Sequence, residues 1–206
     1  MTHPSRFIVI EGIDGAGTTT QVEQLTANLR DRGIDVRATF EPSSGPVGRQ
    51  IRKTLVRDPS APSRAALPWL FAADRADHLD RVVEPALAAG TWVVSDRYYP
   101  SSLAYQSLSM PLDYVHALNA RFRAPDLLVF VRVDLETALA RIESRGGTRE
   151  IFEERDRLIQ INAQYDAVLE RLAAAGEPLV EVDGGRPIDA VARAILAEVE
   201  GRWLAS

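Results

Sequence analysis

Phe7-Ile8-Val9-Ile10-Glu11-Gly12-Ile13-Asp14-Gly15-Ala16-Gly17-Thr18-Thr19-Thr20 decides how the rest of the chain is read. Four apolar residues in a row predict a central parallel strand at Phe7–Ile10, covered on both faces. A glycine-rich turn follows. Val22, Leu25 and Leu29 then recur at helical spacing and predict a helix over Thr18–Arg32, closed by Gly33. Strand, glycine turn and helix start in that order make a phosphate cradle, because the N–H groups of the turn and of the first helical turn converge. Gly12, Ile13, Asp14, Gly15, Ala16, Gly17, Thr18, Thr19 and Thr20 are the candidate nucleotide-phosphate residues. Thr19 holds the position whose hydroxyl binds Mg²⁺ in such loops. One residue departs from the G-x-x-x-x-G-K-[ST] pattern: Thr18 stands where a lysine belongs. A threonine offers one neutral hydrogen bond, and charge-assisted bonds are about twice as strong. Three consequences stay open: other cations compensate, turnover is slow, or nucleotide binds without turnover.

Outward from the loop, strands and helices alternate. Ile34–Phe40, Thr91–Ser95, Leu127–Val133 and Leu179–Val182 read as further strands. Val47, Ile51 and Leu55 repeat at helical spacing. A long helical tract runs from about Ser63 to Ala89, with breaks or kinks expected near Pro68 and Pro85. Leu112–Phe122, Leu135–Arg145, Phe152–Ala175 and Ile188–Trp203 complete the helices. The alternation predicts an α/β fold with a five-stranded parallel sheet and helices on both faces. No repeat or interdomain linker interrupts it, so residues 1–206 are expected to form one domain.

The bulk numbers exclude several classes. A net charge of −5 argues against a nucleic-acid partner, which recruits a basic excess. A few arginines in one cleft still suffice for a small anionic ligand. The chain has no cysteine, which rules out disulfides, zinc–thiolate sites and thiol catalysis. No apolar run reaches the ~20 residues that span a bilayer, and the N-terminus carries no signal-like core. The expectation is a cytoplasmic protein with no membrane partner.

A second cluster begins at a strand end: Val94-Ser95-Asp96-Arg97-Tyr98-Tyr99-Pro100-Ser101-Ser102-Leu103-Ala104-Tyr105-Gln106. Open parallel sheets place their ligands at that edge. Aliphatic, Asp-Arg-aromatic, two residues, Ser-Ser and a terminal Ala-Tyr-Gln form a specific signature, and by it the chain resembles the thymidylate (dTMP) kinase family. The resemblance extends to Glu41-Pro42, to Phe71-Ala72-Ala73-Asp74-Arg75 and to an arginine-bearing segment around 142–152. It implies a three-layer phosphate-loop NTPase fold of the nucleoside monophosphate kinase type. It also implies ATP and dTMP as substrates, Mg²⁺ as cofactor and a homodimer, with self-association placed around Trp69–Ala89.

Residue by residue, the resemblance implies that Phe71 stacks on thymine and Arg75 hydrogen-bonds a base carbonyl. It puts Ser101, Ser102 and Gln106 at the base edge, Tyr105 under the sugar and Glu41-Pro42 at the start of a substrate loop. Arg97 would grip phosphate with its planar fork, and Asp96 would hold a metal-bound water or orient Arg97. The acceptor is already a phosphate oxygen, so the work is positioning and charge stabilisation rather than general-base catalysis.

Two departures from the family follow Thr18: Phe40 replaces an arginine before Glu41, which removes one substrate-side cation, and Ser43-Ser44-Gly45-Pro46 replaces a glycine pair. The lid reads Arg141-Ile142-Glu143-Ser144-Arg145-Gly146-Gly147-Thr148-Arg149-Glu150. Arg145 and Arg149 are the expected substitutes for the missing lysine as catalytic cations, and Arg141 is expected to pack on adenine. A solvated charge run is the plain alternative reading of that segment. The function expected is phosphoryl transfer from ATP to dTMP. The alternatives are a nucleotide-binding homologue with weak or no turnover, because of Thr18, and a related deoxynucleoside monophosphate kinase.

Overall fold

The computed structural model describes residues 4–144 and 151–204, without the side chains of 151–154. β1 (Phe7–Glu11), β2 (Val36–Phe40), β3 (Trp92–Asp96), β4 (Leu127–Arg132) and β5 (Leu179–Asp183) form one sheet in the order β2-β3-β1-β4-β5. Every pairing is parallel. β1 lies at the centre, which explains its unbroken apolar run. Ile8 and Ile10 face one core with Val22, Leu25 and Leu29 of α1 (Thr18–Asp31) and Ile195 of α9 (Ile188–Trp203). Phe7 and Val9 face the other core with Leu103 of α5 (Tyr99–Gln106), Val115 of α6 (Leu112–Asn119) and Val168 of α8 (Ile151–Ala174). Each such buried aliphatic side chain contributes about 1.5–3 kcal/mol. The edge strands β2 and β5 are mostly exposed or half-buried, as strands with one free edge are.

The helical tract at 63–89 departs from expectation. It opens with a 3₁₀ turn at Arg64–Ala66, where the Ser63 hydroxyl accepts from the Ala65 N–H at 3.3 Å. Pro68 then sits in the first turn of α3 (Leu67–His78), where its missing N–H costs nothing, so it starts a helix instead of kinking one. Just before Pro85, residues Leu79–Val83 widen into a π segment that leads into α4 (Glu84–Ala88). A proline removes one i→i−4 bond, and slipping the register by one residue lets the coil continue. The signature segment also holds a helix, α5, that its hydroxyls and Pro100 conceal in the sequence. Most strand ends shift by one or two residues from the expected bounds, because pairing partners set them.

The C-terminal edge of the sheet carries both clusters. Ile10 pairs in register with Asp96, so the glycine turn after β1 and the Asp96-Arg97 corner after β3 emerge side by side. β4 runs into α7 (Leu135–Ser144), which backs the glycine turn. α2 (Pro46–Leu55) follows the loop that leaves β2.

Candidate active site

The glycine turn closes through an Ala16 N–H bond to the Ile13 carbonyl at 3.0 Å. Gly15 has φ +86°, and a Cβ there would lie 2.4 Å from the Ala138 carbonyl oxygen of α7. Gly17 has φ +88° and caps α1 with no side-chain bond to the first-turn N–H groups. Those N–H groups are the donors that a helix N-terminus offers to an anion. Asp14 is exposed at the turn, while Ile13 and Ala16 are buried beneath it. Thr18 is also buried and turns its methyl group towards Gly12. Thr20 is half-buried. The Thr19 hydroxyl donates to Asp96 Oδ2 at 2.5 Å. Asp96 Oδ1 is buried without a partner among the described residues.

Two arginines adjoin this turn. Arg97 is held in the left-handed region at φ 71°, its N–H bonded to the Ile10 carbonyl at 2.9 Å. Its Nη2 meets Asp14 Oδ1 at 2.7 Å, and its Nη1 lies 3.3 Å from both the Ser101 and Tyr105 hydroxyls. The guanidinium also lies over the Tyr105 ring, 5.5 Å from its centroid. Its ion partner is thus Asp14 and not its neighbour Asp96. Burial opposes its charge, but the fields of Tyr105, Asp14, Tyr165 and Glu11 outweigh that and hold its pKa well above the ordinary value. Arg141 reaches the Gly184 carbonyl at 3.0 Å and the Gly15 and Ala16 carbonyls at 3.4 and 3.5 Å. It therefore braces the back of the glycine turn against the loop after β5. Arg145 and Arg149, the other expected cations, lie outside the described residues, as does most of the expected lid.

Beside the turn opens a cavity of about 430 Å³. Glu41 and Pro42 come to its wall from the β2 loop, Phe71 and Arg75 from α3. Arg97, Ser101, Ser102, Tyr105 and Gln106 come from the β3 corner and α5. All nine residues expected around dTMP therefore line one cavity, with Asp14 of the glycine turn at its border. Leu67, Leu158 and Ile161 add apolar wall.

Arg75 is fully buried. It meets Glu41 Oε2 through Nε at 2.9 Å and Nη2 at 2.7 Å, and donates to the Asn119 amide oxygen and, at 3.1 Å, to the Ser102 hydroxyl. Tyr98 and Phe122 flank its plane at 5.1 and 5.7 Å. Three of its N–H groups donate hydrogen bonds among the described residues, and Nη1, which makes one of them, keeps a second N–H for a ligand. Asp74 ties down the same loop, accepting from the Ser43 N–H and hydroxyl, both at 2.6 Å. The serine that replaces a glycine thus adds an anchor to the loop.

Sequence reasoning did not single out the hub beneath this wall. Glu11 ends β1 with no exposure and takes four donors: the Tyr98 and Ser101 N–H groups at 2.7 and 3.2 Å, the Ser101 hydroxyl at 2.7 Å and the Tyr165 hydroxyl at 3.0 Å. Burial raises its pKa against the opposing pull of Arg97 and these bonds. Ser101 therefore gives its hydrogen to Glu11 and turns its oxygen to Arg97. The signal was an acid closing an otherwise apolar strand. Tyr165, 154 residues away, left no comparable mark.

Comparison with known proteins bears on this geometry. A family model described as thymidylate kinase matches residues 10–195. The chain belongs to the thymidylate kinase family. It is 39% identical to a thymidylate kinase of Alkalilimnicola ehrlichii over 97% of this chain and 95% of that protein. It is 38% identical to one of Ruegeria pomeroyi over 93% of each chain, and 36% identical to one of Desulfotalea psychrophila over 81% of this chain and 83% of that one. Thymidylate kinases are phosphotransferases, and the all-parallel sheet with flanking helices agrees with the family's fold. No described helix is long and apolar enough to cross a membrane.

Proposed function

We propose that this chain transfers the γ-phosphoryl group of ATP to dTMP, giving ADP and dTDP, with Mg²⁺ bound. Membership of the thymidylate kinase family supports the reaction. The observation that carries the site assignment is the convergence of all nine expected dTMP residues on one 430 Å³ cavity bordered by the phosphate loop. The volume suits a mononucleotide. In this reading the donor phosphates rest on the N–H groups of Gly15–Thr19 and of the α1 start, and thymine lies between Phe71 and the free N–H of Arg75. Tyr105 closes the space under the sugar and so disfavours a 2′-hydroxyl. Arg97 lies between donor and acceptor sides, because it touches Asp14 of the loop and Tyr105 of the cavity wall. Its role is to hold the acceptor phosphate in line and to neutralise charge as transfer proceeds.

The residues present fit a magnesium ion. Among the described residues no group of three or more acidic, histidine or cysteine side chains gathers to cage a metal. Mg²⁺ instead takes one or two protein oxygens, with water and phosphate completing its shell. Thr19 Oγ1 and the unpartnered Asp96 Oδ1 are suitable donors. Bound there, the ion would neutralise the phosphate oxygens.

The charge that Thr18 does not supply would come from Arg97 and Arg141, the described cations beside the turn. We further read the chain as one domain that acts as a cytoplasmic homodimer. The exposed Trp69 and Tyr114 rings, stacked edge to face at 6.3 Å, support a self-association surface on α3 and α6. A coupled assay for ADP tests the reaction with ATP, Mg²⁺ and dTMP, dUMP, dCMP or dGMP. The account expects dTMP to be preferred; dTMP binding without ADP release would place the chain among non-catalytic homologues.

A further inference from the structure

We propose that His78 is a positioning residue for base recognition, holding Glu41 so that Glu41 holds the Arg75 guanidinium against the cavity. This rests on the reading of the cavity as a dTMP site and extends it to a residue that does not touch the ligand.

The geometry of Glu41 carries the argument. Both Arg75 nitrogens that reach it, Nε at 2.9 Å and Nη2 at 2.7 Å, go to the same oxygen, Oε2. A fork closed on one oxygen leaves a carboxylate able to pivot about that atom. The paired arrangement, one nitrogen per oxygen, is the one that fixes the plane. Here the second anchor comes from elsewhere: Oε1 lies 3.1 Å from His78 Nδ1. An ionised carboxylate only accepts, so Nδ1 carries the hydrogen. The far side of the ring is pinned as well, with Nε2 2.6 Å from the Thr39 hydroxyl on β2. Thr39, His78, Glu41 and Arg75 thus form one continuous chain of hydrogen bonds from the sheet edge to the cavity.

His78 itself is 2% exposed and does not line that cavity, whereas Glu41 and Arg75 do. It lies one helical turn after Arg75 on α3, so both follow the same rigid element. Losing the Nδ1 bond strands Oε1 in a buried place and frees Glu41 to turn. Arg75 then loses the orientation of its free Nη1 N–H. A histidine that merely filled space would give none of these consequences.

The two ring nitrogens allow a test that separates positioning from packing. In His78→Asn the amide nitrogen takes roughly the place of Nδ1 and keeps the bond to Glu41. In His78→Gln it takes roughly the place of Nε2, which keeps Thr39 and abandons Glu41. Each variant is purified, melted thermally, assayed for kcat and for KM of dTMP and ATP, and titrated with dTMP by calorimetry. The expected result is a rise of about tenfold in KM and Kd for dTMP in His78→Gln, the scale of one hydrogen bond to a charged group. kcat and the KM for ATP stay within about twofold, and the preference for dTMP over dCMP narrows, since dCMP presents an amine where dTMP presents a carbonyl. His78→Asn keeps dTMP affinity within about threefold of the unaltered protein. Equal losses in the Asn and Gln variants, or losses that simply follow melting temperature, overturn the proposal. If the position-78 variants do not fold, Thr39→Val frees only the far side of the ring. Like His78→Asn, it should leave dTMP affinity within about threefold, and a loss of about tenfold there overturns the proposal equally. Absence of dTMP turnover in the unaltered protein would count against the function, while the calorimetric ranking still decides the part played by His78.

Discussion

Replacing Arg97 separates chemistry from stability, because its backbone and its side chain can be altered independently. The side chain gives the fold little. Its ion pair with Asp14 is 2.7 Å long, but Asp14 is 57% exposed, which keeps the contribution below about 1 kcal/mol. The contacts to Ser101 and Tyr105 are long at 3.3 Å, and the cation–π contact at 5.5 Å contributes about 0.5–1 kcal/mol. Arg97→Ala should therefore lose about 2 kcal/mol, or roughly 4–8 °C in melting temperature for a chain of this size. Arg97→Gly loses the same contacts but relieves φ 71°, a left-handed conformation that costs a residue with a Cβ about 1–2 kcal/mol. The glycine variant should thus melt roughly 2–8 °C above the alanine variant. Activity should not follow. In the proposed reading both variants remove a guanidinium set between donor and acceptor, and an arginine acting on a transferring phosphoryl group is worth ~10³–10⁵ in rate. The assay is kcat at saturating ATP and dTMP beside a thermal melt. Retention of kcat within about tenfold in Arg97→Ala would refute the role. Recovery of activity in Arg97→Gly along with stability would show that folding, not chemistry, had been lost.

Three further outcomes follow from single contacts. Gly15→Ala would drive a Cβ to 2.4 Å from the Ala138 carbonyl at φ +86°, whereas Gly17→Ala has open space and only an unfavourable φ of +88°. Urea melts should show a loss of about 1–2 kcal/mol at Gly17 and more at Gly15, with KM for ATP rising most at Gly15; equal losses would mean that α7 yields freely. Burial raises the Glu11 pKa above its ordinary 4.5, so the fold favours the protonated acid. The stability this group contributes is full below pH 4.5 and is lost as pH rises through the folded value. Glu11→Gln removes that loss, so its stability relative to the unaltered protein should improve from pH 4.5 to pH 8; a flat or reversed trend in urea melts would contradict the assignment. Thr18 is only 6% exposed and packs towards Gly12, so Thr18→Lys should give no gain in kcat. A gain on the ~10³ scale of a catalytic cation would show that the native loop lacks charge.

The sequence disclosed the elements whose signals are local. Phe7–Ile10 announced a buried strand, the glycines announced the turn, and the Asp96–Gln106 run announced the opposing wall. What stayed hidden depends on residues meeting from far apart. Arg97 finds Asp14 across 83 positions, and Glu11 finds Tyr165 across 154. α5 was masked because hydroxyl and aromatic side chains lining the cavity break the apolar stripe that marks a helix. The π segment at Leu79–Val83 has no period of its own to read. His78 was legible only as a helical residue until the Glu41 loop came to rest against it.

In the proposed reading donor and acceptor occupy one crevice, the phosphate loop on one side and the Phe71–Arg75 cavity on the other. Incubating the protein with ATP labelled at the γ-phosphorus, Mg²⁺ and dTMP, and then separating the nucleotides, tests it most directly. The account predicts that the label leaves ATP and appears in dTDP. Label found only as inorganic phosphate, or retained wholly in ATP by well-folded protein, would contradict it.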